Sequence, residues 1–483
     1  MHSGTVFTLV ILFGLLGCAQ PPPLDRPGAN PEGPRIQEID AFAERILNRY
    51  GLPGLSLAIQ RDGALIHRAH YGFANLEHQV PVSDSSVFRV YSLTKITVAT
   101  AVFQLIEAGR LTADDQIGRH LADLPESWQS IQVKHLLAHA SGLPDMDIFT
   151  YQDLDEEAAK ATVYAAPLVG EPGQRYQYNQ TNYWLLARLI EAVGGEAMED
   201  VVLDRQFPDA AGQAFFSSDS RQVIPNRATA YFPFFTGQRT IEVPYLGAYM
   251  HSANGLNLTS AQFLNWSTRL LDHELLEPAS LEAMWSPFPY AEADPASFAH
   301  GWEIHETNGV PSYGFSGSLV TALRLFPEQD LVILFLANGM GSFFNIEVPV
   351  SYLAGLVDPD LVDPEIYVYE TPTEAFAEGD LAEAPARYQA LRTDPMFAAV
   401  DFRNLMRIII NVLRDGGQLD RALAAAQHNR EQFPESWMVY DQLGKVQQLQ
   451  GQRDAAISNY RQALALNPES SHSREQLQVL QAE

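Results

Sequence analysis

Ser92, Leu93, Thr94 and Lys95 set a hydroxyl and an amine three residues apart, which places both side chains on one face of a first helical turn. A serine used as a nucleophile needs a base, and lysine can serve. Burial strips an ammonium of its proton, whereas a guanidinium keeps its charge at any accessible pH. The chain has 31 basic residues, yet only Lys95, Lys134, Lys160 and Lys445 are lysines. A lysine kept beside Ser92 in so arginine-rich a chain is a chemical clue, and a helix start there adds partial positive charge at the hydroxyl. Ser-x-x-Lys alone is a weak signal; its surroundings decide it.

Those surroundings are Phe88 to Lys95, Gln104 to Leu111, and His135-Leu136-Leu137-Ala138-His139-Ala140-Ser141-Gly142-Leu143-Pro144. Together they resemble the serine beta-lactamase and penicillin-binding-protein superfamily, its class C and esterase-like branch above all, over roughly residues 36–356. The resemblance implies that Ser92 is acylated by substrate and that Lys95 accepts its proton. Tyr178, in Tyr178-Asn179-Gln180, sits where that family places its Tyr-x-Asn. It is then the third catalytic residue, a phenol that ionises more readily beside an ammonium and relays protons to the leaving group. Gln180 stands where asparagine is usual, so a contact to substrate is expected there with one extra methylene.

The third element departs from the family. Phe315, Ser316, Gly317 and Ser318 stand where the family has Lys or His, then any residue, then Gly. Phenylalanine can neither bind a carboxylate nor shuttle a proton, which turns the expected substrate from an anionic peptide toward a neutral ester. Gly317 lets substrate approach the strand, and the resemblance implies an oxyanion hole from the backbone N–H groups of Ser92 and Ser318. His135 and His139, four apart, would share a helical face, but no acidic third ligand accompanies them, so no metal and no cofactor are expected. His251 is the one nearby candidate to stand in for the missing cation, and a solvated loop histidine is the plainer reading.

These residues need a scaffold. Helical spacing covers 36–50; apolar runs over 55–60 and 64–71 read as strands joined at Arg61-Asp62-Gly63. A second pair follows at 319–326 and 331–337. Between them lie helical stretches, beginning with 98–108. The expected fold is α+β, an antiparallel sheet flanked by helices with an all-helical part, over residues 36–357. After Asp358 the chain repeats with a period of thirty-four, Gly417 against Gly451, Ala422 against Ala456 and Pro434 against Pro468. Leu443-Gly444, Ala456, Tyr460, Ala463 and Pro468 resemble the tetratricopeptide pattern, so residues 358–483 are expected to be helical repeats. They read either as a cap on the hydrolase or as a groove for a protein partner.

At its start the chain carries an apolar run from Val6 to Gly17 ending at Cys18, the only cysteine. Residues 1–18 read as a signal peptide, and Leu15-Leu16-Gly17-Cys18 resembles a bacterial lipobox. The expectation is a secreted or periplasmic protein held to a membrane by that lipid alone, with residues 19–35 as an extended linker; plain secretion and a buried helix are the competing readings. A net charge of −28 repels phosphate, so no nucleic-acid partner is expected. The expected function is a serine hydrolase acting on a small ester or amide. The rivals are a D-amino-acid peptidase or weak beta-lactamase, and a non-catalytic binding protein that works through its repeats.

Overall fold

The computed structural model describes residues 36–232, 240–241, 246–292, 298–341, 344–398 and 400–482. Cys18 and the linker lie outside them. The main sheet has seven strands, and its order joins the two ends of the fold. The first hairpin, Gly54–Arg61 with Ala64–Asn75, turns at Asp62 and Gly63. Both have positive φ, 52° and 67°, as a two-residue hairpin turn requires. Its first strand then pairs, antiparallel, with the late strand Leu331–Ala337.

That late strand reads Leu-Val-Ile-Leu-Phe-Leu-Ala without a polar residue, and the packing explains why. Val332, Leu334 and Leu336 face one core, while Leu331, Ile333, Phe335 and Ala337 face another. A strand covered on both faces has no use for alternation. The first core belongs to the helical part, including the helix Thr94–Glu107, whose residues from Thr94 to Phe103 are all buried. Behind the sheet, Ile39, Phe42, Ala43 and Ile46 of the helix Ile36–Arg49 meet Val350 and Leu353 of the helix Glu347–Val357. The spacing of that first set is the apolar stripe of an amphipathic helix.

The strand expected over 319–326 begins only at Thr321, because Ser318 and Leu319 have φ of 46° and 62° and turn the chain. On the far side of the sheet, the strand Glu303–Thr307 pairs with Val310–Gly317 only as far as Gly314. The backbone edge of Phe315 to Gly317 therefore runs on beyond that partner. A smaller sheet of Val87–Arg89, Leu256–Thr259 and Ala214–Phe216 leads directly into the Ser92 turn.

From Pro364 onward the described chain is helical, with pairs at Phe402–Asp415 and Leu419–Gln432, then Trp437–Leu449 and Arg453–Leu466. Gly444 is small for a reason: a Cβ there would lie 2.9 Å from the Tyr460 ring. These helices pack on the back of the sheet layer rather than standing apart from it. Arg49 donates to Glu370 at 2.5 Å and to Glu378 at 3.2 Å, and Val412 joins the core formed by the first and last helices of that layer.

Candidate active site

Ser92 lies in a 3-10 turn, Tyr91–Leu93, that opens into the helix Thr94–Glu107. Its approach is clamped from both sides. Val90 N donates to Leu256 O at 3.1 Å, Thr321 Oγ1 donates to Val90 O at 3.0 Å, and Leu256 N donates to Thr94 Oγ1 at 3.1 Å. Tyr91 has φ of 51°, an unfavourable region for a bulky residue that such clamping sustains. Ser92 itself is half-buried.

Lys95 is fully buried, and its amine has three neighbours. Nζ lies 2.8 Å from Gln180 Oε1, 2.8 Å from Ala253 O and 3.5 Å from Ser92 Oγ. Burial pushes the amine down to about 7, against the opposing pull of Asp145. A neutral amine has two N–H bonds and one lone pair. Gln180 Oε1 and Ala253 O are acceptors, and when they take both N–H bonds the lone pair is left for Ser92. Tyr178 and Tyr183 present their rings 4.9 and 5.3 Å from Nζ, contacts that favour the charged form.

Tyr178 donates its O–H to Ser92 Oγ at 2.8 Å. Burial holds the phenol above its ordinary value, with its hydrogen bonding to Ser92 and Gln180 working against that rise. The expectation of an easily ionised phenol fails here, because burial disfavours the charged phenolate. Ser92 therefore has a lone pair on one side to take its proton and an O–H on the other to stabilise its oxygen.

Gln180, expected to touch substrate, also turns its Oε1 toward Lys95. Its own N–H donates to Asp145 Oδ1 at 2.6 Å, which seats the start of the helix Gln180–Gly194. Asp145 and the carbonyl of Ala253 escaped the sequence reading. Asp145 stands one residue past the Gly142-Leu143-Pro144 run, so an acid beside a known segment was the available signal; a backbone carbonyl leaves none.

Phe315 is 2% exposed and packs 6.3 Å from the Tyr178 ring and 5.9 Å from Phe298. An aromatic wall thus occupies the place of the family's cation. Gly317 is required by close approach, since a Cβ would lie 2.3 Å from Val90 O and 3.0 Å from Tyr91 Cβ. Ser316 and Ser318 are half-buried at the end of the same strand. His251 Nδ1 pairs with Glu199 Oε1 at 2.9 Å, so the histidine is held by a side-chain partner rather than standing as a solvated loop residue.

The two histidines do not share a helical face. The helix Val133–Leu137 ends before His139, whose φ of 50° takes it out of the spiral. His139 is wholly buried and neutral, desolvation and the Lys95 charge both holding it well below its usual value. Its Nδ1 accepts from Asn179 N at 3.1 Å and also lies 3.1 Å from Asn182 Nδ2, so it braces the segment that carries Tyr178. Its ring lies 4.6 Å from that of Tyr178.

Comparison with known proteins bears on the fold and the family. Penicillin-binding protein 4 of Amycolatopsis lactamdurans is 26% identical over 357 residues, covering 66% of this chain and 91% of that protein. Among solved structures, D-amino acid amidase from Ochrobactrum anthropi SV3, complexed with L-phenylalanine amide, superposes with a TM-score of 0.58 at 20% identity, covering 68% of this chain and 99% of that one. EstCE1, a hydrolase with promiscuous acyltransferase activity, gives 0.56 at 18% identity, covering 66% and 98%. At such identities the two structures speak for the fold alone. The Beta-lactamase family model matches residues 39–351, and with a match over that span the chain belongs to the beta-lactamase family.

Proposed function

We propose that the protein is a serine hydrolase that forms an acyl-enzyme on Ser92 and acts on esters or amides that carry no anion. The observation that carries this is the Lys95 amine, buried, lowered to about 7 and with both N–H bonds engaged, so that its lone pair faces Ser92 Oγ. In the proposed cycle Ser92 Oγ bonds to the substrate carbonyl carbon as its proton passes to Lys95 Nζ. Charge gathers on the carbonyl oxygen between the N–H groups of Ser92 and Ser318. Tyr178, held protonated by burial, gives its proton to the departing oxygen or nitrogen and regains one from Lys95. Water then repeats the sequence on the acyl-enzyme and frees the acid.

Phe315 disfavours anionic substrates, since a buried ring offers no partner to a carboxylate. That the two solved neighbours are called an amidase and a hydrolase with acyltransferase activity supports esters and amides as the substrate class. Residues 358–483 we read as tetratricopeptide-like repeats, supported by the period and the Gly444–Tyr460 contact. Cys18 we read as the lipid-bearing residue of a secreted protein; release into the medium by Cys18→Ala checks it. For the site itself, a fluorophosphonate probe should label the protein and fail on Ser92→Ala and on Lys95→Arg, both folded. Full labelling of Lys95→Arg would remove the amine from the mechanism, because guanidinium cannot take the proton.

A further inference from the structure

Beside the strand end that bears Ser318 lies a cleft of about 740 Å³, closed on one side by the sheet layer and on the other by the C-terminal helices. Its size is that of a small-molecule site, and junctions between packed units are where such sites occur. Leu319, Val348 and Ile408 are among its apolar walls; Glu365, Asp401 and Asp415 stand among the polar ones with three asparagines. No lysine or arginine lines it among the described residues. Asp401 and Asp415 pair with Arg403 and Arg414 at 3.4 and 2.8 Å outside the lining, but ion pairs this exposed are weak and yield to a competing cation.

Leu319 connects the cleft to the site. It follows Ser318 directly, is 41% exposed, and holds φ of 62°, a costly conformation for a branched apolar residue facing solvent. Such strain collects where chain geometry serves binding. Two residues before it, Gly317 presses against Val90 and Tyr91, the residues leading into Ser92.

We infer that this cleft is a remote subsite of the hydrolase, taking an apolar chain with a cationic end carried by the substrate. The inference rests on reading Ser92 as the acylated serine. The apolar walls hold the chain, and Glu365 and Asp415 meet the charge. The C-terminal helices thereby belong to substrate recognition.

Two measurements decide it. In the first, octyltrimethylammonium and octanoate are titrated calorimetrically into full-length Ser92→Ala, where binding needs no nucleophile. The cation should bind one to one, the anion at least tenfold more weakly, and Glu365→Lys/Asp415→Lys should abolish the preference; Glu365→Gln should halve it or more. In the second, p-nitrophenyl octanoates ending in trimethylammonium or in carboxylate are compared on the enzyme. The cationic ester should have a KM at least tenfold lower, and the charge-reversed pair should bring the two within twofold. Equal binding of both amphiphiles, or equal KM in an enzyme that hydrolyses both esters, overturns the subsite while leaving Ser92 in place. Absence of fluorophosphonate labelling, with the calorimetric preference intact, instead overturns the hydrolase reading and with it the subsite's role in substrate recognition.

Discussion

The amine of Lys95 sets the pH behaviour of the molecule in two ways. As a base it works only when neutral, so kcat/KM for a neutral ester should rise with pH through about 7 and then level off. A profile flat from pH 5 to 9 would exclude it as the base. Stability follows the same group with its own sign. The amine binds its proton near 10.5 in the unfolded chain and near 7 in the folded one, so between those values the unfolded state holds more protons and stability climbs with pH. The contribution is at most about 1.4 kcal/mol per pH unit. Denaturant titrations from pH 7 to 9 should show the climb, and Lys95→Met should lack it. Function here costs stability, since a charged amine would prefer water.

Among elements, the decisive contact is between the turn before Ser92 and the strand Val310–Gly317. Gly317→Ala puts a methyl within 2.3 Å of Val90 O, and the strand must move away from the turn. We expect a loss of about 1–3 kcal/mol in denaturant midpoint measurements and failure of probe labelling at native pH. Labelling at the wild-type rate would mean that the strand end plays no part in acylation. The elements themselves were largely readable from sequence. Both hairpins carry apolar runs around turn residues, and the amphipathic first helix carries its stripe. The start of the third run at Leu319 was misread because apolar character cannot report a positive φ, and the His135/His139 pair was misread because a five-residue helix ends between them.

At the scale of the whole chain, Arg49 and Glu370 join the sheet layer to the C-terminal helices with side chains 1% and 2% exposed. Removing one partner strands a buried charge, so Arg49→Ala should cost about 3–5 kcal/mol. The double variant Arg49→Met/Glu370→Leu should recover most of that, and a double-mutant cycle on thermal unfolding measures it. Additive losses would mean that the pair is not coupled. Single-step unfolding in the wild type would follow from the shared core at Val412, which makes it costly for either part to unfold alone.

By itself the sequence determined the family likeness, the identity of Ser92, Lys95 and Tyr178 as candidates, and the absence of a cation at Phe315, because residue type and spacing carry these. Tertiary structure decided how they are arranged. The acceptors that surround the Lys95 amine are Gln180 and a carbonyl at Ala253, residues 85 and 158 positions away. The protonation of Tyr178 depends on how dry its surroundings are. Chemistry can be named from local sequence, but proton positions follow from desolvation and from distant acceptors, which only the folded chain brings together.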